Sequence, residues 1–243
     1  MKRFGGTLFL ISLLVTMFCE RSPDTRVLVV TGGHDFEQKQ FYAMFDSFKN
    51  MVYDSVAQPK ANILYTIDDM SQYDVLVFYD MFQKINAEQK QAFLDILEQG
   101  KGIVFLHHAL ASYQDWDQYA DIVGGRFILE SDKDSVQAST YKHDVNVNVH
   151  IMNPDHPVTQ GVEDFVIRDE VYDRIDVSNR VHPLLSTDHP ESGEIIGWHQ
   201  NRENSRIVYI QLGHDHHAYE NPNYRQLVRQ AVQWVKESAS VHQ

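Results

Sequence analysis

Histidines follow three predicted buried strands of this 243-residue chain, each at the point where the strand ends. They are His34, His107 and His214, which come after the apolar runs 26–31, 102–106 and 207–210. The carboxyl ends of parallel strands meet at one edge of an α/β sheet, where such proteins bind their ligands. We therefore expect the three side chains to converge in one pocket. Because imidazoles titrate near neutral pH, this pocket is suited to proton transfer.

A carboxylate is expected to complete this group. Glu170 lies within Asp169-Glu-Val-Tyr172, in a segment that the sequence predicts to reach over from an insertion. We predict that His107 and Glu170 carry the chemistry, with His34 and His214 as further catalytic residues. Such a set favours proton abstraction beside a carbonyl, isomerisation of a ketose, or elimination from a 3-keto-glycoside. The same four side chains would also serve as ligands of a divalent zinc or manganese ion that polarises a carbonyl.

Further side chains are predicted to bind the substrate. Asp80 ends a fourth predicted strand, His108 adjoins His107, and aromatic rings can stack on a ligand. The predicted set is Asp80, His108, Asp169, Tyr172, Trp198 and Asp215. Hydrolysis by Asp80 and Glu170 as a carboxylate pair is an alternative that depends on their separation, which the sequence does not give. Loop histidines are more often surface residues, so five others are expected to be exposed: His143, His199, His216, His217 and His242.

The elements that must position these residues are predicted from the spacing of apolar side chains. Continuous apolar runs at 26–31, 75–79, 102–106 and 207–210 are typical of strands that are covered on both faces of a parallel sheet. Helical spacing follows at Phe41–Phe48, after the capping box Asn86-Ala-Glu-Gln89, and after Asn221-Pro222. The alternation of strands and helices predicts a doubly wound, mostly parallel α/β sheet.

The pattern changes after residue 130. Alternating apolar residues between 136 and 152 predict a long half-buried strand, and 163–172 and 181–186 predict further β or irregular segments. A short helical or irregular segment is expected at 116–122, before Gly124-Gly125. We expect antiparallel β insertions on the parallel sheet.

The first two dozen residues have the features of a leader for export. Lys2 and Arg3 precede an apolar run at 7–18 that is too short to span a bilayer, and the only cysteine, Cys19, follows it. Three alternatives remain open: a lipoprotein acylated on Cys19, a soluble periplasmic protein, and a retained anchor. We predict a leader and short linker at 1–25 and one domain at 26–243, exported to the periplasm or lipid-anchored at the cell envelope.

Composition excludes several classes of protein. A formal net charge of −13 repels nucleic acid and anionic membrane surfaces, so membrane association is expected only through the leader or a lipid. A neutral ligand such as a sugar is compatible with this charge. A single cysteine excludes an internal disulfide framework and a multi-thiolate metal site.

A series of short motifs in a fixed order resembles the trehalose-utilisation (ThuA-like) family. The motifs are Gly-His-Asp-Phe at 33–36, Gly-x-Gly-Ile-Val-x-Leu-His at 100–107, Gly-Gly-Arg-Phe at 124–127, Asp-His-Pro-Val-Thr-x-Gly at 155–161, Asp-Glu-Val-Tyr at 169–172, Gly-Trp at 197–198, and Leu-Gly-His at 212–214 followed by Tyr-Glu-Asn-Pro at 219–222. They span nearly all of 26–236. The resemblance implies a class I glutamine amidotransferase-like fold, which is related to flavodoxin.

The resemblance also carries expectations about function. In that superfamily a nucleophilic cysteine occupies the turn after a central strand, and His107 stands at the matching position here, so thiol amidotransferase chemistry is excluded. The family's association with oxidised disaccharides implies a carbohydrate-processing enzyme that acts on disaccharides or their 3-keto derivatives. A non-catalytic sugar-binding protein, with Trp116, Tyr172 and Trp198 stacking on sugar rings, is one alternative. An accessory domain beside a sugar oxidoreductase is another.

The chain departs from the family pattern at three places. It has 193–197 where relatives carry His-Pro before the tryptophan, and 202–206 where they carry a Gly-Lys-Gly-Arg turn. A histidine sometimes found after the Arg-Phe pair is replaced by Leu129-Glu130. Ligand contacts made by those residues in relatives are therefore not expected here.

Overall fold

The structure is a computed structural model that describes residues 24–67, 70–130 and 137–237. The predicted leader, with Cys19, and His242 lie outside the described residues. Within the described ranges no helix combines the length and apolar character needed to cross a membrane.

Eleven strands form one large sheet and one two-stranded ribbon. They are β1 (Thr25–Gly32), β2 (Met51–Ala57), β3 (Val75–Asp80), β4 (Gly102–Leu106), β5 (Gly125–Arg126), β6 (Thr140–Ile151), β7 (Phe165–Asp173), β8 (Asp176–Val177), β9 (His182–Ser186), β10 (Ile195–Arg202) and β11 (Ser205–Ile210). The large sheet has the order β2-β1-β3-β4-β11-β10-β9-β6-β7, and β5 pairs with β8.

Helices cover both faces of the central strands. They are α1 (Gln38–Asp46), α2 (Lys60–Ile67), α3 (Ala87–Glu98), α4 (Asp117–Val123), α5 (His216–Tyr219) and α6 (Pro222–Lys236), with short 3-10 turns at Met70–Gln72 and His107–Ala111. The predicted capping box is present at α3, where the side chains of Asn86 and Gln89 each accept a backbone N–H of the other. Asn221 caps α6, since its side-chain oxygen accepts the backbone N–H groups of Asn223 and Tyr224.

The five strands β2, β1, β3, β4 and β11 are parallel. Alternate residues of β4 enter two cores: Val104 and Leu106 pack with α1, α5 and α6, whereas Ile103 and Phe105 pack with α2, α3 and α4. This two-sided burial explains the continuous apolar runs and confirms the predicted doubly wound fold. Gly102 is required at the start of β4 because a Cβ there would lie 2.6 Å from the backbone of α6.

Four antiparallel strands, β10, β9, β6 and β7, extend the sheet beyond β11. These are the predicted antiparallel insertions, although the strand expected at 136–152 is observed as Thr140–Ile151. Strand β6 pairs with β9 only through His150 and Ile151, while most of its length pairs with β7. The part of the β6–β7 pair that does not contact β9 contains Glu170 and Tyr172, and it places them near the carboxyl ends of β4 and β11.

Six elements were not predicted from the sequence: β2, α2, β5, β8, β10 and α5. Strand β2 lies at the edge of the sheet and is half-exposed, so it lacks a long apolar run. Strand β10 contains Gln200, whose side chain is nevertheless buried because its amide donates to carbonyl oxygens of α4. Polar residues that are satisfied by such long-range contacts hide a strand from pattern analysis.

Candidate active site

His107 occupies a sharp turn directly after β4. Its φ is +50°, a left-handed conformation that is costly for a residue other than glycine and is typical of functional turns. Strand β11 and the residue after it hold His107 in place: the hydroxyl of Tyr209 donates to the His107 carbonyl at 3.0 Å, and Nδ1 lies 2.7 Å from the carbonyl oxygen of Gln211. The ring is therefore fixed, with Nε2 directed away from the sheet.

Glu170 of β7 meets this ring from the opposite side. Its Oε2 lies 2.9 Å from Nε2 of His107 and 3.1 Å from Nδ1 of His214, and the residue is only 5% exposed. The hydroxyl of Tyr172 lies 3.0 Å from the same Nε2 of His107. One carboxylate oxygen is thus shared between two imidazoles that come from two different central strands.

The pKa values of Glu170 and His214 are set by the contacts in this group. Burial by itself raises the pKa of the Glu170 carboxyl, but the contacts with His107 and His214 outweigh burial and hold that pKa well below its usual range. The contact with the Glu170 carboxylate in turn raises the pKa of His214 against the effect of burial. Glu170 is therefore ionised at neutral pH, so it can ligate a metal ion or accept a proton, although the same two contacts weaken it as a base, and it is not a proton donor.

Asp169 lies behind this group and fixes its geometry. Its carboxylate accepts the backbone N–H of Glu170 at 2.8 Å, of Gly213 at 2.8 Å and of His214 at 3.0 Å. It ties β7 to the loop that carries His214. Asp169 was predicted to contact substrate; in the structure it is 2% exposed, does not line the cavity, and its carboxylate accepts these three backbone N–H groups. It is a positioning residue.

A cavity of about 250 Å³ opens in front of Glu170. Its wall contains histidine, aromatic and apolar side chains and one carboxylate: His34, Met81, His107, His108, Ala111, Phe127, Leu129, Tyr141, His143, Glu170 and Tyr172. His214 adjoins the wall through its contact with Glu170. The structure thus places His34, His107 and His214 at the same carboxyl edge of the sheet.

His108 presents an unsatisfied imidazole to this cavity. The residue is 5% exposed, and neither ring nitrogen has a hydrogen-bond partner among the described residues. It packs against His34 and Tyr79, with ring centroids 4.7 and 4.4 Å away. Burial lowers the pKa of His108 well below its usual range, with His107 and His34 adding to the effect. A neutral ring with one donor and one acceptor nitrogen is suited to bind hydroxyl groups of a ligand.

Two polar residues of the cavity wall, Tyr141 and His143, were missed by sequence reasoning, as were four apolar ones: Met81, Ala111, Phe127 and Leu129. His143, which was expected to face solvent only, lines the cavity with Nδ1 3.5 Å from Oε1 of Glu170. Tyr141 is 60% exposed at the mouth, and its ring centroid lies 5.1 Å from that of His143. The only signal in the sequence was that residues 141 and 143 share one face of a predicted strand.

Several predicted substrate contacts lie elsewhere. Trp198 is fully buried and donates its indole N–H to the carbonyl of Val123, so it cannot stack on a sugar. Trp116 is buried as well and does not line the cavity. Asp215 caps α5 and lies 3.1 Å from Nδ1 of His217, outside the cavity wall.

Asp80 is also absent from the cavity wall. It is fully buried, and the amide of Gln58 donates to its Oδ2 at 3.1 Å. Burial raises the pKa of Asp80 to about 7. Asp80 was predicted to bind substrate and, as an alternative, to pair with Glu170; the structure places it outside the cavity wall that Glu170 lines.

The site contains donors that fit a divalent metal ion. Nitrogen atoms of His107 and His214 and an oxygen of Glu170 lie within 4.8 Å of one another. Two imidazoles and one carboxylate form a common ligand set of catalytic zinc sites, in which a further position stays open for water or substrate. His34 contributes no donor to this trio.

Solved structures similar to this chain agree with the topology. A ThuA-like protein from Parabacteroides merdae gives a TM-score of 0.75 at 18% identity, over 88% of this chain and 90% of that chain. A ThuA-like protein from Bacteroides uniformis gives 0.67 at 20% identity, over 88% and 91%. A glutamine amidotransferase from Thermotoga maritima gives 0.52 at 12% identity, over 88% and 98%. At these identities the likeness shows the fold alone.

The family follows from the sequence. No curated protein matches the chain. The profile of the ThuA family, described as trehalose utilisation, matches residues 26–235, which is most of the chain. This confirms the resemblance that the motifs indicated, and the chain belongs to the ThuA family.

Proposed function

We propose that this protein is a carbohydrate-processing enzyme that acts on a disaccharide or its 3-keto derivative. The observation that carries the proposal is the Glu170 carboxylate held between the imidazoles of His107 and His214 at 2.9 and 3.1 Å, beside a cavity that contains the unsatisfied ring of His108. Membership of a family associated with trehalose utilisation supports a sugar as the ligand.

The arrangement assigns complementary roles for an elimination from a 3-keto-glycoside. A base removes the proton on the carbon that lies between the ketone and the anomeric carbon. A double bond then forms between this deprotonated carbon and the anomeric carbon, and the bond from the anomeric carbon to the departing oxygen breaks. Glu170, which is ionised, is the proton acceptor. His214, whose pKa is raised, donates the proton to the departing alcohol oxygen. His107 and Tyr172 hold the carboxylate in place.

A metal-assisted variant uses the same residues. His107, Glu170 and His214 would hold a zinc or manganese ion through two nitrogens and one oxygen. A bound ion would act as a Lewis acid on the sugar carbonyl. Metal analysis of the purified protein distinguishes the metal-free mechanism from the metal-assisted one. One equivalent of bound metal in wild type that is lost in Glu170→Gln would support the metal-assisted mechanism.

The substrate chemistry places a redox enzyme upstream. A 3-keto sugar arises when a secondary hydroxyl group is oxidised, and this step requires a redox cofactor. We therefore propose a sugar oxidoreductase as the supplier of the substrate.

The test of the proposed function is turnover of trehalose and 3-keto-trehalose by wild type and His107→Ala. His107 holds the Glu170 carboxylate in place, and misplacement of reacting groups by about 1 Å costs about 10²-fold in rate, so we expect a loss of that order for His107→Ala. The matched control is His150→Ala, since His150 also lies 2.9 Å from a carboxylate, that of Asp164, but on the exposed face of β6. Equal rates for the two variants would contradict the proposal. Tight binding without turnover would favour the sugar-binding alternative.

We also propose export through the amino-terminal leader. The motivation is the order of Lys2, Arg3, the apolar run at 7–18 and Cys19. For a lipoprotein, Cys19→Ser should move the protein from the membrane fraction to the soluble fraction. Recovery of the wild type in the cytoplasm with Met1 retained would contradict export.

A further inference from the structure

A groove adjoins the histidine cavity at the same edge of the sheet. The cavity holds about 250 Å³, below the roughly 300–1,000 Å³ that is typical of sites for drug-sized ligands. The groove has a volume of about 580 Å³ and shares Leu129 with the cavity wall. Leu129 is 37% exposed and therefore stands at the junction as an apolar contact surface. A ligand larger than the cavity would extend across Leu129.

The floor of this groove is fixed by two amide side chains. The Nε2 atom of Gln114 donates to the carbonyl of Phe127 at 2.8 Å, and Nε2 of Gln83 donates to the carbonyl of Ala111 at 2.7 Å. The backbone N–H of Gln114 donates to the side-chain oxygen of Gln83 at 3.2 Å. Because these bonds connect the groove to the segment before Leu129, the junction is pre-organised for a ligand.

The charge of both regions favours a neutral ligand. Among the described residues that line the cavity, none is lysine or arginine. The groove contains one cation, Arg126, which forms an ion pair with Asp117 at 2.8 Å, and three acidic residues: Asp115, Glu130 and Asp176. A phosphate group would meet carboxylates here without an unpaired arginine or lysine to bind it.

We infer that the site takes neutral, unphosphorylated saccharides of at least two rings, with a terminal ring in the histidine cavity and the next ring in the groove. Leu129 contacts the apolar face of the second ring. This inference rests on the proposed function and adds a second subsite and a charge preference to it.

Calorimetric titration of the full-length protein with glucose, trehalose and trehalose 6-phosphate tests the inference. We expect trehalose to bind more tightly than glucose and at least tenfold more tightly than trehalose 6-phosphate. Leu129→Asn should lower the ratio of trehalose affinity to glucose affinity by up to about tenfold, or about 1.4 kcal/mol. The matched control is Met152→Asn, because Met152 is a similarly exposed apolar residue outside both regions.

The outcomes separate the second subsite from the proposed function. If wild type binds trehalose but Leu129→Asn retains the wild-type ratio, the subsite is wrong and the proposed function stands. Binding of trehalose 6-phosphate as tight as that of trehalose would overturn the charge preference. If none of the three sugars binds, and 3-keto-trehalose titrated in the same way does not bind either, both the subsite and the proposed function are overturned.

Discussion

Two clusters of histidines in this protein differ in the charge that faces them. In the first, His107 and His214 share the carboxylate of Glu170. In the second, His199 stacks between His156 and His182, with ring centroids 4.4 and 4.9 Å apart. The indole of Trp234 covers the second cluster, with its centroid 4.8 Å from that of His156 and 5.0 Å from that of His199. No carboxylate faces this stack among the described residues.

The difference shows that the partner, and not the residue type, determines the charge of a partly buried imidazole. The Glu170 carboxylate raises the pKa of His214 even though burial opposes it. Burial lowers the pKa of His199 to about 4, and the neighbouring His156, His182 and Arg206 lower it further. His199, which was expected to be exposed, is half-buried, and its Nδ1 has no partner among the described residues. His214 of the first cluster can hold a proton, whereas His199 of the second is neutral at pH 7.

Asp169→Asn should disturb the geometry of the first cluster. An asparagine would turn an amide N–H toward the backbone N–H groups that now donate to the carboxylate, so Glu170 and His214 should shift relative to each other. Misplacement of reacting groups by about 1 Å costs about 10²-fold in rate, and we expect a loss of that order in kcat with little change in KM. Asp164→Asn is the control, because Asp164 also accepts a backbone N–H but at the surface. Equal kcat values for the two variants would show that Asp169 does not position the site.

The effect of the Glu170 carboxylate on the pKa of His214 can be removed by a single substitution. Removal of the carboxylate charge in Glu170→Gln takes away the contact that raises the pKa of His214 most and leaves burial to lower it, so this pKa should fall. Two-dimensional NMR of the imidazole ring across pH measures this change. An unchanged titration of His214 would contradict the assigned partnership.

The second cluster should limit stability in acid. The pKa of His199 is about 4 in the folded protein and 6.5 when the ring is exposed, so the unfolded state binds the proton more readily. The contribution of His199 to stability is present above pH 6.5 and is lost as the pH falls toward 4. His199→Gln cannot titrate, and its melting temperature should fall less between these pH values than that of wild type. Parallel curves for wild type and variant would refute this.

The smallest effect on stability is expected at Asp80. Asp80 is a buried carboxyl without an imidazole partner, so its pH dependence has the opposite sign to that of His199. Burial raises its pKa from 3.8 to about 7, so its stabilising contribution is full below pH 3.8 and is lost as the pH rises through 7. Asp80→Asn should therefore melt higher than wild type at pH 8 and gain less at pH 6. A variant that is less stable at pH 8 would show that the ionised carboxylate is accommodated.

The parallel half of the fold could be predicted because its strands are buried on both faces. The runs ending at Leu106 and Ile210 have no polar interruption, and their carboxyl ends correctly placed His107 and His214 at one edge. The antiparallel half gave a weaker signal. The pattern at Asp169-Glu170 does not reveal which carboxylate faces the ligand, since a strand directs neighbouring side chains to opposite faces and the register decides between them.

Long-range contacts account for the other residues whose positions differ from the sequence-based predictions. Trp198 was expected at a binding surface because aromatic side chains often stack on sugars, but its indole N–H has a backbone partner 75 residues away in the chain. His143 lies on a half-exposed strand, and its approach to Glu170 depends on how the β6–β7 hairpin bends over the sheet edge. Neither relation is encoded in local spacing.

The most direct test of the central claim is the rate at which Glu170→Gln converts 3-keto-trehalose. The substitution keeps the size of the side chain and removes the charge that both imidazoles share. The account predicts a loss of about 10²-fold to 10⁴-fold, with a folded protein by circular dichroism and with Asp164→Asn close to wild type. A Glu170→Gln protein that retains the wild-type rate would contradict the claim that this carboxylate is the centre of the site.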